Sequence, residues 1–218
     1  PGYIEESIKD SIKVFEKLGV KIEDVDLPHI NLSLPIYYVI APAACSSNLS
    51  RYDGVKFGYR CEDPKDLEDL YMRTREEGFG TEVKRRILIG TYALSAGYYD
   101  AYYGQALKAR NQVVTEFKDV FSKVDYLISP TTPSTAFKFG EKTENPLEMY
   151  MSDLCTIPAN LAGLPAISIP TGLSSEGMPL SVQIMSPAKT DNSLLDFSEK
   201  IEKLVGFTLK PTLLEDSK

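Results

Sequence analysis

Arg86 lies in the run Lys84-Arg85-Arg86, and its spacing gives it an unusual setting for a cation. On a helix, Phe79, Val83, Gly90 and Ala93 fall on its side, whereas Arg85 falls with Glu82 and Ile89. A guanidinium on a face of Phe, Val, Gly and Ala is partly buried and needs an anion. Its planar N–H fork suits a carboxylate through two parallel hydrogen bonds. A structural ion pair or a solvated basic run would account for the same residues, and on spacing alone these are the simpler readings.

Other reactive side chains are sparse. His29 is the only histidine, so a Ser-His-Asp or Cys-His nucleophile system would have to use it. It sits in Leu27-Pro28-His29-Ile30-Asn31, a loop-like stretch ill suited to that work. Cys45, Cys61 and Cys155 are an odd set with no C-x-x-C spacing, which argues against a zinc site or a disulfide framework. The acidic neighbours Glu62/Asp63 and Glu76/Glu77 read as solvated faces rather than metal ligands.

The elements that must position these residues alternate between two periodicities. Ile4, Ile8, Ile12, Phe15 and Leu18 form a helical stripe ended by Gly19, and Val20–Leu27 then reads as a strand closed by Pro28. A second helix is expected from Leu34 to Leu49, starting near Pro35. Residues 50–64 suggest an irregular loop that a local Arg51–Asp53 ion pair could order. Helices follow over Leu67–Arg75, from Thr81 after the Gly78-Phe79-Gly80 break, and over Tyr99–Val120. Tyr98/Tyr102 and Tyr99/Tyr103 form i, i+4 pairs suited to core or interface packing.

Val124–Ile128 reads as a buried strand, and 147–161 as helical turns interrupted by Pro158. Ala166–Pro170 and Leu180–Ile184 alternate as strands around a Gly/Ser turn, and a last helix over 193–205 carries Leu195, Phe197, Ile201 and Leu204. Strands scattered among helices predict an α/β fold with a mixed β-sheet flanked by helices, and no linker divides residues 1–218.

Composition narrows the function. Of the 218 residues, 43% are hydrophobic and 25% charged, ordinary for a globular chain, and the net charge of −7 makes it a poor binder of a phosphate backbone by itself. No run approaches a membrane helix or a signal-peptide core, so a cytoplasmic protein with reduced thiols is expected.

Four blocks carry a family resemblance. Ser47-Asn48-Leu49-Ser50-Arg51-Tyr52-Asp53-Gly54-Val55-Lys56-Phe57-Gly58-Tyr59-Arg60, Gly78-Phe79-Gly80-Thr81-Glu82-Val83-Lys84-Arg85-Arg86-Ile87 and Gly97-Tyr98-Tyr99-Asp100-Ala101-Tyr102-Tyr103 resemble the A subunits of glutamyl-tRNA(Gln) amidotransferases. Asn160-Leu161-Ala162-Gly163-Leu164-Pro165-Ala166-Ile167-Ser168-Ile169-Pro170 is similar to a segment found more widely among amidase-signature proteins.

The resemblance implies that the chain is the C-terminal part of a single amidase-signature domain. That family hydrolyses glutamine through an acyl-enzyme with a Lys–Ser–Ser triad, set in a Gly/Ser-rich signature whose backbone N–H groups approach an oxyanion. None of the 14 glycines here is adjacent to another, and no Gly-Ser-Ser occurs. The triad is therefore expected upstream of Pro1, leaving the fragment alone inactive.

For glutamine binding, the resemblance assigns Arg86 to the α-carboxylate, Asp153 to the α-ammonium and Tyr37 to the pocket wall. Without it, Asp153 would read as a helix cap or surface carboxylate and Tyr37 as ordinary packing. The resemblance also implies subunits B and C as partners and tRNA held indirectly through the partner. ATP and Mg²⁺ would be used there, with no cofactor bound by this chain. Another amidase-signature amide hydrolase and a noncatalytic binding or scaffold module are the alternatives. A half-domain would expose apolar surface and could self-associate.

Overall fold

A computed structural model describes residues 2–142 and 145–209. The chain divides into two compact units. The first holds the described residues up to Leu34 and from Val113 onward, and the second holds Pro35–Gln112.

The first unit is built on a three-stranded sheet of β1 (Leu127–Pro130), β2 (Ala166–Leu173) and β3 (Pro179–Met185), in the order β1-β3-β2. The α/β arrangement with flanking helices is present. Both ladders are antiparallel, so a mixed sheet would need a parallel pairing that these three strands do not make. Ile167 pairs with Ile184 and Ile169 with Val182, which puts all four on one face, and Ile128 of β1 joins them opposite Ile184. Helices α1 (Gly2–Glu16) and α8 (Asp191–Val205) pack on the sheet. Phe15, Ile169, Val182, Ile184, Leu194 and Ile201 form the core between them. Each such side chain taken from water is worth about 1.5–3 kcal/mol.

The opposite face of β3 carries Gln183, a buried amide whose Nε2 donates to Ser129 Oγ and to the Cys155 carbonyl, each at 3.0 Å. Both bonds satisfy a group that would be costly to bury alone. Burial pushes the Cys155 thiol above its ordinary pKa.

Several expected boundaries move. Val20–Leu27 makes no strand among the described residues: Val20 and Ile22 pack singly against the core, and no neighbouring strand supplies a ladder. Strand β1 begins at Leu127 and runs through Pro130, which an edge strand tolerates because its missing N–H can face outward. Pro158 opens α7 (Ile157–Ala162) rather than interrupting a helix, after α6 (Pro146–Tyr150) and a 3₁₀ turn over Met151–Asp153. On α8 the buried stripe is Leu194, Ser198 and Ile201, and Leu195 faces out.

The second unit is helical: α2 (Ser33–Leu49, beginning two residues before the unit), α3 (Leu67–Gly78), α4 (Thr81–Ala93) and the start of α5 (Gln105–Phe121). Tyr99–Gly104, expected within a continuous α-helix, is a π-helical segment leading into α5. The loop between α2 and α3 is fixed by its own hydrogen bonds. Asp53 accepts from the backbone N–H of Val55 and Lys56 at 2.9 and 3.1 Å, in place of the expected pairing with Arg51. These bonds hold the Asp53 carboxyl below its usual range. Arg75 donates to the carbonyls of Leu49 and Tyr52, closing the loop onto α3.

Candidate functional site

Helix α4 places the candidate arginine. Gly80, extended with φ −65° and ψ 163°, stands at its start, and Glu82 lies in the first turn, where the helix dipole favours a carboxylate. The buried side of α4 is Gly90 and Ala93, with Arg86 half-buried one turn earlier and Arg85 exposed, as the apolar spacing predicts.

Gly90 permits a close approach between helices. A methyl group built there would stand 1.9 Å from the carbonyl oxygen of Pro42 and 2.8 Å from Ser46 Cβ on α2. Pro42 is fully buried, and Ser46 and Thr91 join the two helices through their hydroxyls at 2.8 Å. One turn away in both helices, the Arg86 guanidinium lies over the Tyr38 ring, 5.7 Å from its centre. Tyr38 in turn meets Tyr37 edge-on, with ring centres 5.1 Å apart.

Glu82 Oε1 accepts from Arg86 Nε at 3.0 Å, and Oε2 accepts from Arg85. Helical spacing had assigned Glu82 to the Arg85 side alone. The structure shows one carboxylate shared by both arginines. Burial opposes the charge on Arg86, but hydrogen bonding by Glu82 and Tyr37 outweighs it and raises the guanidinium above its ordinary value.

Tyr37, Tyr38, Glu82 and Arg86 therefore form one cluster within the second unit. Asp153 belongs to the first unit, where it ends the 3₁₀ turn with an exposed side chain. Its carbonyl accepts from the Thr156 N–H and hydroxyl, both at 3.1 Å. His29 Nδ1 pairs with Glu116 of α5, whose carboxylate also accepts the His29 backbone N–H, so the histidine serves to tie a loop to a helix. Among the described residues no group of three or more His, Cys, Asp or Glu side chains is placed to hold a metal ion. No helix there is long and apolar enough to cross a membrane.

The sequence reading missed Glu82 as the partner of Arg86, and Tyr38 as its stacking surface. The i, i+4 spacing of Glu82 and Arg86, with the acid on the N-terminal side, was the available signal.

Beyond Arg86, α4 ends beside an exposed tyrosine cluster. The Tyr98 ring lies 4.3 Å from Tyr92 and 6.0 Å from Tyr102, and Tyr99 meets Tyr103 at 5.2 Å, so both expected pairs form, with Tyr98, Tyr99 and Tyr102 exposed and Tyr103 half-buried. A hydrogen bond with Tyr98, reinforced by partial desolvation and by the neighbouring phenols, pushes the Tyr92 pKa up to about 12. Between pH 10 and about 12 an unfolded Tyr92 ionises while the folded one stays largely protonated. Its stabilising contribution is complete below pH 10 and is lost as pH rises through about 12. Tyr92→Phe is expected to flatten that alkaline fall in stability and to remove the latest phase of phenolate absorbance in a titration.

Comparison with known proteins follows the same outline. A family model described as Amidase matches residues 3–195. The A subunit of the glutamyl-tRNA(Gln) amidotransferase of Hahella chejuensis is 55% identical over 199 residues, covering 91% of this chain and 41% of that protein. The corresponding A subunit of Carboxydothermus hydrogenoformans is 52% identical over 204 residues, covering 94% and 42%. This chain thus spans about two fifths of the length of these relatives. The crystal structure of the glutamyl-tRNA(Gln) amidotransferase A subunit of Thermotoga maritima superposes with a TM-score of 0.68 at 41% identity, covering 93% of this chain and 39% of that one. A 6-aminohexanoate cyclic dimer hydrolase superposes at 0.73 with 20% identity, covering 97% and 43%, a likeness of fold alone.

Proposed function

The chain belongs to the amidase family, and from that premise we propose that it is the substrate-holding part of the glutaminase subunit of a tRNA-dependent amidotransferase. The observation that carries this reading is the Arg86 cluster: a half-buried guanidinium held by Glu82, set on Tyr38 and beside Tyr37. It lies within a chain more than half identical to the A subunit of Hahella chejuensis.

Glutamine is a zwitterion, and a site for it must neutralise two charges while leaving the side-chain amide accessible. Arg86 takes the α-carboxylate through two parallel N–H bonds. Asp153 takes the α-ammonium, and Tyr37 lines the pocket. The Lys–Ser–Ser triad resides in the remainder of the same amidase domain, where serine attack on the amide gives an acyl-enzyme and releases ammonia. Subunits B and C complete the assembly, and the released ammonia amidates Glu-tRNA(Gln) there, with ATP and Mg²⁺. The acidic charge of this chain fits that division, because tRNA would be held by a partner. The setting is the cytoplasm, where that tRNA is used.

Leu88, Ile89 and Tyr92 leave an apolar row exposed on the outer side of α4, the kind of surface that a larger domain covers.

Ammonia release from glutamine tests the reading. The chain alone is expected to release none, and co-expression with the N-terminal three fifths of the Hahella protein is expected to restore turnover. Turnover by the chain alone would overturn the assignment, because it would require a nucleophile within these residues.

A further inference from the structure

A guanidinium recognises a carboxylate through its plane: two parallel N–H bonds form only if that plane contains the incoming oxygens. A half-buried arginine on a helix reaches many orientations by rotating about its Cδ–Nε bond, and something must fix one of them. In this structure Glu82 Oε1 accepts from Nε itself, at 3.0 Å. The Nε–H bond lies in the guanidinium plane and turns with it, so an acceptor fixed beside Nε favours one setting of that rotation. The Tyr38 ring lies against the same guanidinium and restrains it from a second direction.

Glu82 is itself held. Its second oxygen accepts from Arg85, and its place in the first turn of α4 suits a carboxylate. The sharing also affects charge. A carboxylate devoted to Arg86 alone would cancel much of its attraction for an anion, whereas one shared with Arg85 neutralises Arg86 only in part.

We propose that Glu82 is a positioning residue for glutamine recognition, fixing the plane of Arg86 while its second oxygen is held by Arg85. The inference rests on the reading of Arg86 as the α-carboxylate ligand. Glu82 touches no substrate and acts through Arg86. An ordinary surface ion pair of this spacing would matter little.

The test uses the intact glutaminase carrying this chain, with two probes: glutamine, and 4-aminobutanamide as a competitor that keeps the ammonium and the amide but lacks the α-carboxylate. Glu82→Ala is expected to raise KM for glutamine about tenfold with kcat within about twofold, the size of one charge-assisted hydrogen bond. The inhibition constant of 4-aminobutanamide should stay unchanged. Glu82→Gln, whose side-chain carbonyl still accepts from Nε, should recover most of the loss.

Weakening of both probes alike by Glu82→Ala would mean a merely structural role, as would an unchanged KM for glutamine; either result overturns the proposal. Arg86→Ala separates the two levels of inference. If it weakens glutamine selectively while Glu82→Ala does not, positioning fails and the clamp stands. If Arg86→Ala itself does not distinguish the probes, the clamp reading fails first.

Discussion

Gly90→Ala is expected to destabilise the protein by at least about 3 kcal/mol, beyond the usual range for one added methyl in a packed interior. The reason is the 1.9 Å separation between the new Cβ and the Pro42 carbonyl oxygen, with Ser46 Cβ at 2.8 Å behind it. Ordinary contact requires helices α2 and α4 to separate by about 1.5 Å, and closely packed interiors resist such shifts. Because the clash is with backbone, no change of the Pro42 side chain relieves it. For a chain of this size the melting temperature should fall by about 6–12 °C, read by circular dichroism against Thr91→Ala, which removes the hydroxyl's bonds to Ser46 and to the Ile87 carbonyl but leaves the Gly90 contact intact. Surviving protein should also bind glutamine more weakly, since Tyr38 and Arg86 face each other one turn from the strained contact. Unchanged melting would mean that α2 and α4 are not in close contact at Gly90.

Arg86→Ala is expected to lower kcat/KM for glutamine by about 10²–10³-fold in the intact glutaminase, equivalent to about 3–4 kcal/mol. Most of the loss should appear in KM. The truncation removes a charge and a two-pronged donor together, while the Arg85–Glu82 bond stays in place. Arg86→Lys keeps the charge but not the fork, so a loss of about 10–100-fold is expected for it. The native clamp should not titrate as pH rises toward 10. Hydrogen bonding to Glu82 and Tyr37 keeps the guanidinium charged against the opposing effect of burial. An Arg86→Ala enzyme with normal KM would remove the arginine from the binding site.

Much of this arrangement was legible from the residues alone because helices announce themselves over many positions. The stripe that buries Phe15, the break at Gly78-Phe79-Gly80 and the α4 face carrying Arg86 all follow from a 3.6-residue period. Strand identity depends on partners, which one segment does not contain. Val20–Leu27 has the alternation of a strand but finds no ladder among the described residues, whereas β2 and β3 have a hairpin to pair them. The hairpin turn is closed by Ser174 N–H donating to the Met178 carbonyl at 2.8 Å, with Gly177 at φ +78°. The π-helical segment at Tyr99–Gly104 was hidden because its residues satisfy α-helical spacing as well.

The site was readable only in part. Arg86 could be separated from Arg85 by its neighbours, yet the role of Gly90 could not, because it depends on a carbonyl nearly fifty positions earlier. Glu82 was misassigned for a different reason: a side chain with two oxygens can serve two faces of one helix, and a helical wheel gives it only one.

The first unit is discontinuous in sequence, with the whole second unit, Pro35–Gln112, lying between its two segments. On the ribosome this sets an order of events. The inner segment is complete and can begin to fold once Gln112 has emerged, while α1 must wait for β3, which ends at Met185. The 169 residues from the end of α1 to the end of β3 take about 8–34 s at roughly 5–20 residues per second. For that time the Phe15 stripe of α1 lacks the β2 and β3 side chains that cover it in the folded unit. The part of the nascent chain most in need of protection is therefore a helix made early, not the residues most recently added.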